Sequence, residues 1–225
     1  MSTFDLSDST VRELNQTLHQ SDTQGVDVLV TNPGGKHNVA AGANVDCAVT
    51  VEGHVGYYCG GMNKSASIVV NGNAGPGLAE NMMSGTVRVK GNASQYCGAT
   101  AHGGLLVIEG DAAARCGISM KGVDIVVGGS IGHMSAFMAQ SGRLVVCGDA
   151  GEALGDSIYE ARIYLRGEAK SLGTDCIEKP MEDEHKTELA ELLAQAGIDH
   201  PVDEFRRYGS ARQLYNFQID NVSAY

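Results

Sequence analysis

Short runs of β-branched and aliphatic residues, each closed by a glycine, recur along the chain at one fixed interval. They occupy residues 49–53, 68–72, 87–91, 106–110, 125–129, 144–148 and 163–167, so that the anchor glycines Gly53, Gly72, Gly91, Gly110, Gly129, Gly148 and Gly167 stand 19 residues apart. Residues 30–34 fall in the same frame with Asn32 and Pro33 inside the run, which makes them a degenerate first coil. Four positions before the glycine stand Val49, Ile68, Val87, Leu106, Ile125, Leu144 and Ile163, and two before it stand Val51, Val70, Val89, Ile108, Val127, Val146 and Leu165. Positions two apart share one face of a strand, so this face is predicted to point inward. The last residue of the run (Glu52, Asn71, Lys90, Glu109, Cys147, Arg166) mostly points to water. Two residues after the glycine, Val55, Ala74, Ala93, Ala112, Ile131, Ala150 and Ala169 are again apolar and mostly small, so the chain turns at the glycine and re-enters the core.

A unit of this length is too short for a sandwich layer or for a crossover with a full helix, and it suits one coil of a solenoid. A single coil cannot bury its own face, so coils must stack, at about 4.8 Å per rung. Parallel connections are overwhelmingly right-handed, and the left-handed hexapeptide solenoid needs a multiple of six. The predicted fold is all-β, a single-stranded right-handed parallel β-helix. The anchor glycine answers either a positive φ or a stacking distance too close for a Cβ. Both ends of a solenoid leave open strand edges that need covers. At the front, Thr10 and Glu13 form a candidate capping box before Leu14 and Leu18, and Val26, Val28 and Val30 alternate like a strand. At the back, Leu189, Leu192, Leu193 and Ala196 are spaced as one helix face after Asp183 and are stopped by Gly197, with a second short helix after Pro201. The expected organisation is an N-terminal cap over 1–33, the β-helix over 34–177 and a helical tail over 178–225.

Composition agrees with many tight turns: 30 of the 225 residues are glycine and 4 are proline. A net charge of −11 argues against a nucleic-acid or anionic-membrane partner, since both need clustered positive charge. No signal-like start and no apolar run of membrane-spanning length is present, so a cytoplasmic location is expected. Charge also separates the tail from the stack. Between Glu178 and Glu204 nine acidic residues face two lysines. Arg206, Arg207, Tyr208, Arg212, Tyr215 and Phe217 then give the tail a basic, aromatic end of the kind enriched at protein interfaces, with packing back onto the coils as the alternative. If the tail is an interface, deleting residues 206–225 leaves the coils folded and abolishes co-purification with partners.

Candidate chemistry is sparse. Cys97 and Cys116 occupy one repeat column, with Cys59 two coils earlier, which is compatible with a disulfide, a thiolate metal site or a ladder of small buried side chains. The last reading is favoured, because no CxxC or CxxH pair occurs among the six cysteines. Asp111, Asp149 and Glu168 follow the anchor glycine, in a column shared with His54, Asn73, Asn92 and Ser130. Such carboxylates could serve a glycan-acting β-helix enzyme, but Asn, Asp and Ser favour corners for their own backbone hydrogen bonds. His102 and His133 lack partners at their repeat positions, and residues 128–132, though glycine-rich, lack the lysine and following helix of a phosphate loop. No catalytic, cofactor or metal residue is assigned to this chain.

The Gly-x-x-Gly pattern of Gly53-His54-Val55-Gly56, Gly72-Asn73-Ala74-Gly75 and Gly148-Asp149-Ala150-Gly151 resembles the GXGXG β-helix domain found in the glutamate synthase large subunit and in the C subunit of formylmethanofuran dehydrogenase. The end, residues 207–212 with Asp220, Asn221 and Tyr225, is similar to the stand-alone small β-helix subunits of N-methylglutamate synthase and related GlxC-type proteins. The resemblance implies a scaffold subunit of a hetero-oligomer that makes N-methyl-L-glutamate and ammonia from methylamine and L-glutamate. It implies as partners a glutamine-amidotransferase-like subunit and a synthase subunit carrying FMN and an iron–sulfur cluster, with no cofactor in this chain. The alternatives are a β-helix subunit of a split glutamate synthase or of a formylmethanofuran dehydrogenase-like complex.

Overall fold

The computed structural model describes residues 2–213. Its strands are β1 (Ser2–Asp5), β2 (Asp27–Thr31), β3 (Ala48–Glu52), β4 (Ser67–Val70), β5 (Thr86–Val89), β6 (Leu105–Ile108), β7 (Lys121–Val127), β8 (Ser141–Val146), β9 (Arg162–Leu165), β10 (Cys176–Lys179) and β11 (Arg206–Ser210). They form one sheet in the order β1 to β9, then β11, then β10. From β1 to β9 each strand pairs in parallel with the next, and from β3 onward Val49 faces Ile68, Ile68 faces Val87 and so on up the repeat. The fold is the expected parallel β-solenoid of about seven turns. Both predicted inward columns are fully buried and form one apolar cluster running through the stack. The predicted return to the core is also present, because Val55, Ala74, Ala93, Ala112, Ile131, Ala150 and Ala169 pair coil over coil as a second parallel ladder.

The remaining wall of the solenoid is not made of strands. Three columns of left-handed backbone run up it: Tyr58, Gly77, Tyr96, Arg115, Met134 and Ala153, then Gly60, Ala79, Gly98, Gly117, Ala136 and Gly155, then Met62, Asn81, Thr100, Ser119, Met138 and Ser157. Most are not glycine, and a left-handed L-residue costs about 1–2 kcal/mol. Hydrogen bonds between coils offset the cost. The first and third columns donate to the following coil, as Tyr58 N–H does to Pro76 O (2.9 Å) and Thr100 N–H to Ile118 O (2.9 Å). The middle column donates to the preceding one, as Gly98 N–H does to Leu78 O (2.8 Å). With its N–H groups satisfied alternately up and down, this wall holds strained φ values that no isolated loop would keep.

The front is closed by α1 (Val11–Thr17), where Glu13 N–H donates to Thr10 Oγ1 at 3.2 Å and Thr10 N–H donates to Glu13 Oε2 at 2.8 Å, the expected capping box. Leu14 and Leu18 plug the end of the core. The short strand β1 precedes α1 and pairs with β2; Ser2–Asp5 carries too little apolar alternation to announce it.

The tail follows the alternative reading and packs back onto the coils. Helix α2 (Asp183–Ala196) ends at Gly197 (φ 67°) as predicted, but it lies along the outer face of the sheet rather than standing apart. Leu189, Leu192, Leu193 and Ala196 pack on Val107, Val126, Val145 and Tyr164, the middle outward positions of β6 to β9, with Phe205 beside them. After a 3₁₀ turn (Val202–Glu204), β11 inserts antiparallel between β9 and β10. The end of the stack is thus sealed by two reversed pairings rather than by a helix. Tyr208, the middle of β11, is 4% exposed and belongs to the main core. Deleting from Arg206 would therefore remove a central strand of this end, and the expectation that the coils stay whole without residues 206–225 is corrected. Among the described residues no helix is long and apolar enough to cross a membrane.

Candidate functional site

The anchor corner is a structural ladder. Each residue after the glycine accepts a hydrogen bond from the backbone N–H of its counterpart one coil on. Asn73 N–H donates to His54 Nδ1 (2.9 Å), Asn92 N–H to Asn73 Oδ1 (2.8 Å), Asp111 N–H to Asn92 Oδ1 (2.8 Å), Ser130 N–H to Asp111 Oδ1 (2.7 Å), Asp149 N–H to Ser130 Oγ (3.0 Å) and Glu168 N–H to Asp149 Oδ1 (2.9 Å). The bonds join neighbouring coils rather than closing local turns, which is why Asn, Asp, Ser and His alternate freely in this column: all four offer an acceptor. Asp111 and Asp149 each commit an oxygen to the ladder. Replacing Asn92 by alanine is expected to lower the unfolding free energy by about 1 kcal/mol, read as a shift of the denaturant midpoint, while Asn92→Asp keeps most of it.

The anchor glycines answer close stacking. Only Gly53 among the seven has a positive φ (133°). A Cβ on Gly72 would lie 2.5 Å from Gly53 O, and one on Gly110 would lie 2.9 Å from Gly91 O and closer still to the Asn92 amide oxygen. The ladder side chain and the bare backbone of the next glycine fill the same space.

The cysteines are all free and buried. Burial alone pushes Cys59 up to about 12. Cys116 lies well above the ordinary thiol range through its hydrogen bond with Cys97, with burial adding to the shift. A thiol held protonated at neutral pH is a poor nucleophile and a poor metal ligand, so the small-side-chain ladder accounts for this column. At the start of α2, Glu182, Glu184 and His185 bring ligand atoms within 4.8 Å of one another. His185 Nδ1 there accepts the Glu182 N–H (3.2 Å) and Nε2 faces Glu184 (3.5 Å), which is the chemistry of a helix cap.

The predicted interface residues divide. Arg206 binds Gly167 O (2.9 Å) and Glu168 (2.7 Å), Arg207 donates through Nε to Pro180 O (2.8 Å), and Arg212 reaches Glu160 (3.3 Å). Tyr208 is buried beneath them and offers a partner no surface, because inward and outward positions alternate along β11. Tyr215 and Phe217 lie outside the described residues. Arg207 and Arg212 line a polar cleft of about 210 Å³ with Arg162, Lys179, Gly209 and Ser210, where the end of the sheet meets α2. A second, 220 Å³ hollow shares Arg162 with it and is lined by Arg143 and Glu188. Sequence reading did not single out Arg143, Arg162, Lys179 or Glu188. The available signal was a column of outward cations, Arg143 and Arg162, at the same repeat position.

The chain is 60% identical to Protein GlxC of Rhizobium meliloti (strain 1021), over an alignment that covers 100% of both proteins. No protein-family model and no solved structure matches it.

Proposed function

The chain belongs to the family of Protein GlxC, and from that premise we propose that it is the non-catalytic β-helix subunit of a glutamate synthase-like complex, N-methylglutamate synthase. In this reading it braces an amidotransferase-like subunit and an FMN- and iron–sulfur-bearing synthase subunit that together form N-methyl-L-glutamate and ammonia from methylamine and L-glutamate. The observation that carries the scaffold role is the use of the polar column. Of the carboxylates that would have to serve a glycan-acting enzyme, Asp111 and Asp149 each hold the next backbone N–H and Glu168 pairs with Arg206 at 2.7 Å. In the cysteine column the Cys59 and Cys116 thiols are likewise held protonated inside the stack. A solenoid cross-linked on every wall is stiff along its axis, which suits a post between catalytic chains.

The test is tagged recovery of the full-length chain from cells, with mass spectrometry of co-purifying chains, a flavin absorbance scan, and an assay of methylamine-dependent N-methylglutamate formation. A colourless isolated chain and a yellow-brown, active complex are expected. Recovery with glutamate synthase or formylmethanofuran dehydrogenase-type subunits would reassign the complex, and glycan cleavage by the chain alone would overturn the scaffold role. Because β11 is part of the stack, the informative truncation ends at Gln213. It is expected to leave the melting temperature within about 2 °C of the full chain, a shift corresponding to under about 1 kcal/mol, while co-purification falls at least tenfold.

A further inference from the structure

We propose that the cleft between β10, β11 and the start of α2 is a binding site for a compact oxyanion carrying two negative charges, held by Lys179 and Arg207. These two cations stand directly opposite each other in the antiparallel β10–β11 pairing. Like charges placed so are destabilising, and both side chains are half-buried, where solvent screens them least. Neither is neutralised by a carboxylate among the described residues. Lys179 makes no ion pair among the described residues, and Arg207 spends only Nε, on the Pro180 carbonyl, which leaves its terminal nitrogens available as a fork. Of the nearby carboxylates, Glu188 holds Arg162 (2.8 Å) and Arg143 (3.4 Å), and Glu160, which itself lines the cleft, pairs with Arg212. In a chain of net charge −11, this leaves a local positive excess.

The floor of the cleft is open for a reason that packing does not supply. Gly209 has no left-handed φ, and a Cβ there would meet nothing nearer than Ala161 O and Lys179 Cγ, both at 3.8 Å. A side chain at this position is sterically allowed and would fill the cleft. The volume, about 210 Å³, is below the range of about 300–1,000 Å³ usual for drug-sized ligands, and it suits a group the size of a small dicarboxylate or inorganic phosphate. An ammonium opposite a guanidinium fork is suited to the paired oxygens of either. The site is a property of this chain alone and does not depend on the complex it joins.

The test uses the full-length chain, with malonate and inorganic phosphate as probes and sodium chloride at matched ionic strength as the control, read by melting temperature and by isothermal titration. At least one probe is expected to raise the melting temperature above the control and to saturate at one per chain, and the preference between them assigns carboxylate or phosphate as the anion. Lys179→Gln with Arg207→Gln should weaken binding at least tenfold without lowering the melting temperature of the free protein. Lys179→Gln alone, which breaks no hydrogen bond, serves if the double variant does not fold. Gly209→Leu should abolish binding with both cations still present. The site is refuted if neither probe outperforms chloride, or if binding survives unchanged in the charge variants or in Gly209→Leu.

Discussion

Replacing Gly110 by valine is expected to lower the unfolding free energy by about 3–5 kcal/mol, a large part of the 5–15 kcal/mol that holds an ordinary domain together. Two effects combine. A branched side chain must displace the Asn92 amide oxygen and approach Gly91 O, which lies 2.9 Å from the site of a Cβ, and overpacking of this kind costs about 1–3 kcal/mol. Moving Asn92 or the backbone then breaks the bonds from Asp111 N–H to Asn92 (2.8 Å) and from Gly110 N–H to Gly91 O (3.1 Å), each worth about 1 kcal/mol. The rung cannot open to relieve the contact, because β5, β6 and β7 pair in register on either side of it. Denaturant unfolding measures the loss. Two other glycines make controls with different causes. Gly197 caps α2 at φ 67° in open space, so Gly197→Ala should cost only about 1 kcal/mol, from backbone strain alone. Gly209→Ala, with no left-handed φ and no neighbour nearer than 3.8 Å, should change little. Equal losses at all three would mean that the stack does not select glycine by proximity.

The repeat was legible because a solenoid writes the same physical demand once every 19 residues, seven times in register: an inward aliphatic pair, a bare corner and a small return residue. The corner was read with two possible causes, and only coordinates separate them. The left-handed wall was not legible. Left-handed backbone is read from glycine, yet Tyr58, Tyr96, Arg115, Met134 and the whole column from Met62 to Ser157 adopt it without one. Their N–H partners belong to the neighbouring coil, so no local propensity reports the conformation. The covered outer face left a trace that went unread. The strands Leu105–Ile108 and Lys121–Val127 end in unbroken apolar runs, the mark of a strand buried on both sides.

The end of the stack was the hardest part to read. In β11 the inward positions are Tyr208 flanked by Arg206 and Ser210, a pattern with one apolar residue that looks like an interface segment and not a strand. The juxtaposition of Lys179 and Arg207 depends entirely on the register of that antiparallel pairing, across 28 positions of sequence. Composition located the basic end of the chain correctly. It could not say which cations would be neutralised by the coils and which would be left facing one another.

Glu188→Ala is expected to cost about 2–3 kcal/mol at neutral pH, because this carboxylate is the main polar pin between α2 and the sheet. One oxygen takes the Tyr164 hydroxyl proton donor and the other takes Arg162 at 2.8 Å and Arg143 at 3.4 Å. At the far end of the helix Arg88 donates to Ala196 O at 2.8 Å, where a cation also suits the helix dipole. Removing Glu188 leaves the Tyr164 hydroxyl without its acceptor and Arg162 without its carboxylate, while Arg143 keeps Asp124 and solvent screens the share of the partly exposed Arg162. The pH dependence separates this pin from the apolar contacts around it. Burial pushes the Glu188 carboxyl up, but the Tyr164 hydrogen bond and the charges of Arg162 and Arg143 together outweigh it and hold the group below the usual 4.5. A carboxyl depressed in the folded state contributes stability that is present above 4.5 and is lost as the pH falls through its folded value. The difference in unfolding free energy between the wild type and Glu188→Gln should therefore be flat from pH 7 to about 5 and shrink on further acidification, as measured by denaturant titration at each pH. A difference that persisted unchanged at pH 3 would place the effect in packing rather than in charge. The helix would then be held on the sheet by its apolar face, Leu189, Leu192, Leu193 and Ala196, and by Arg88 at its C-terminal end.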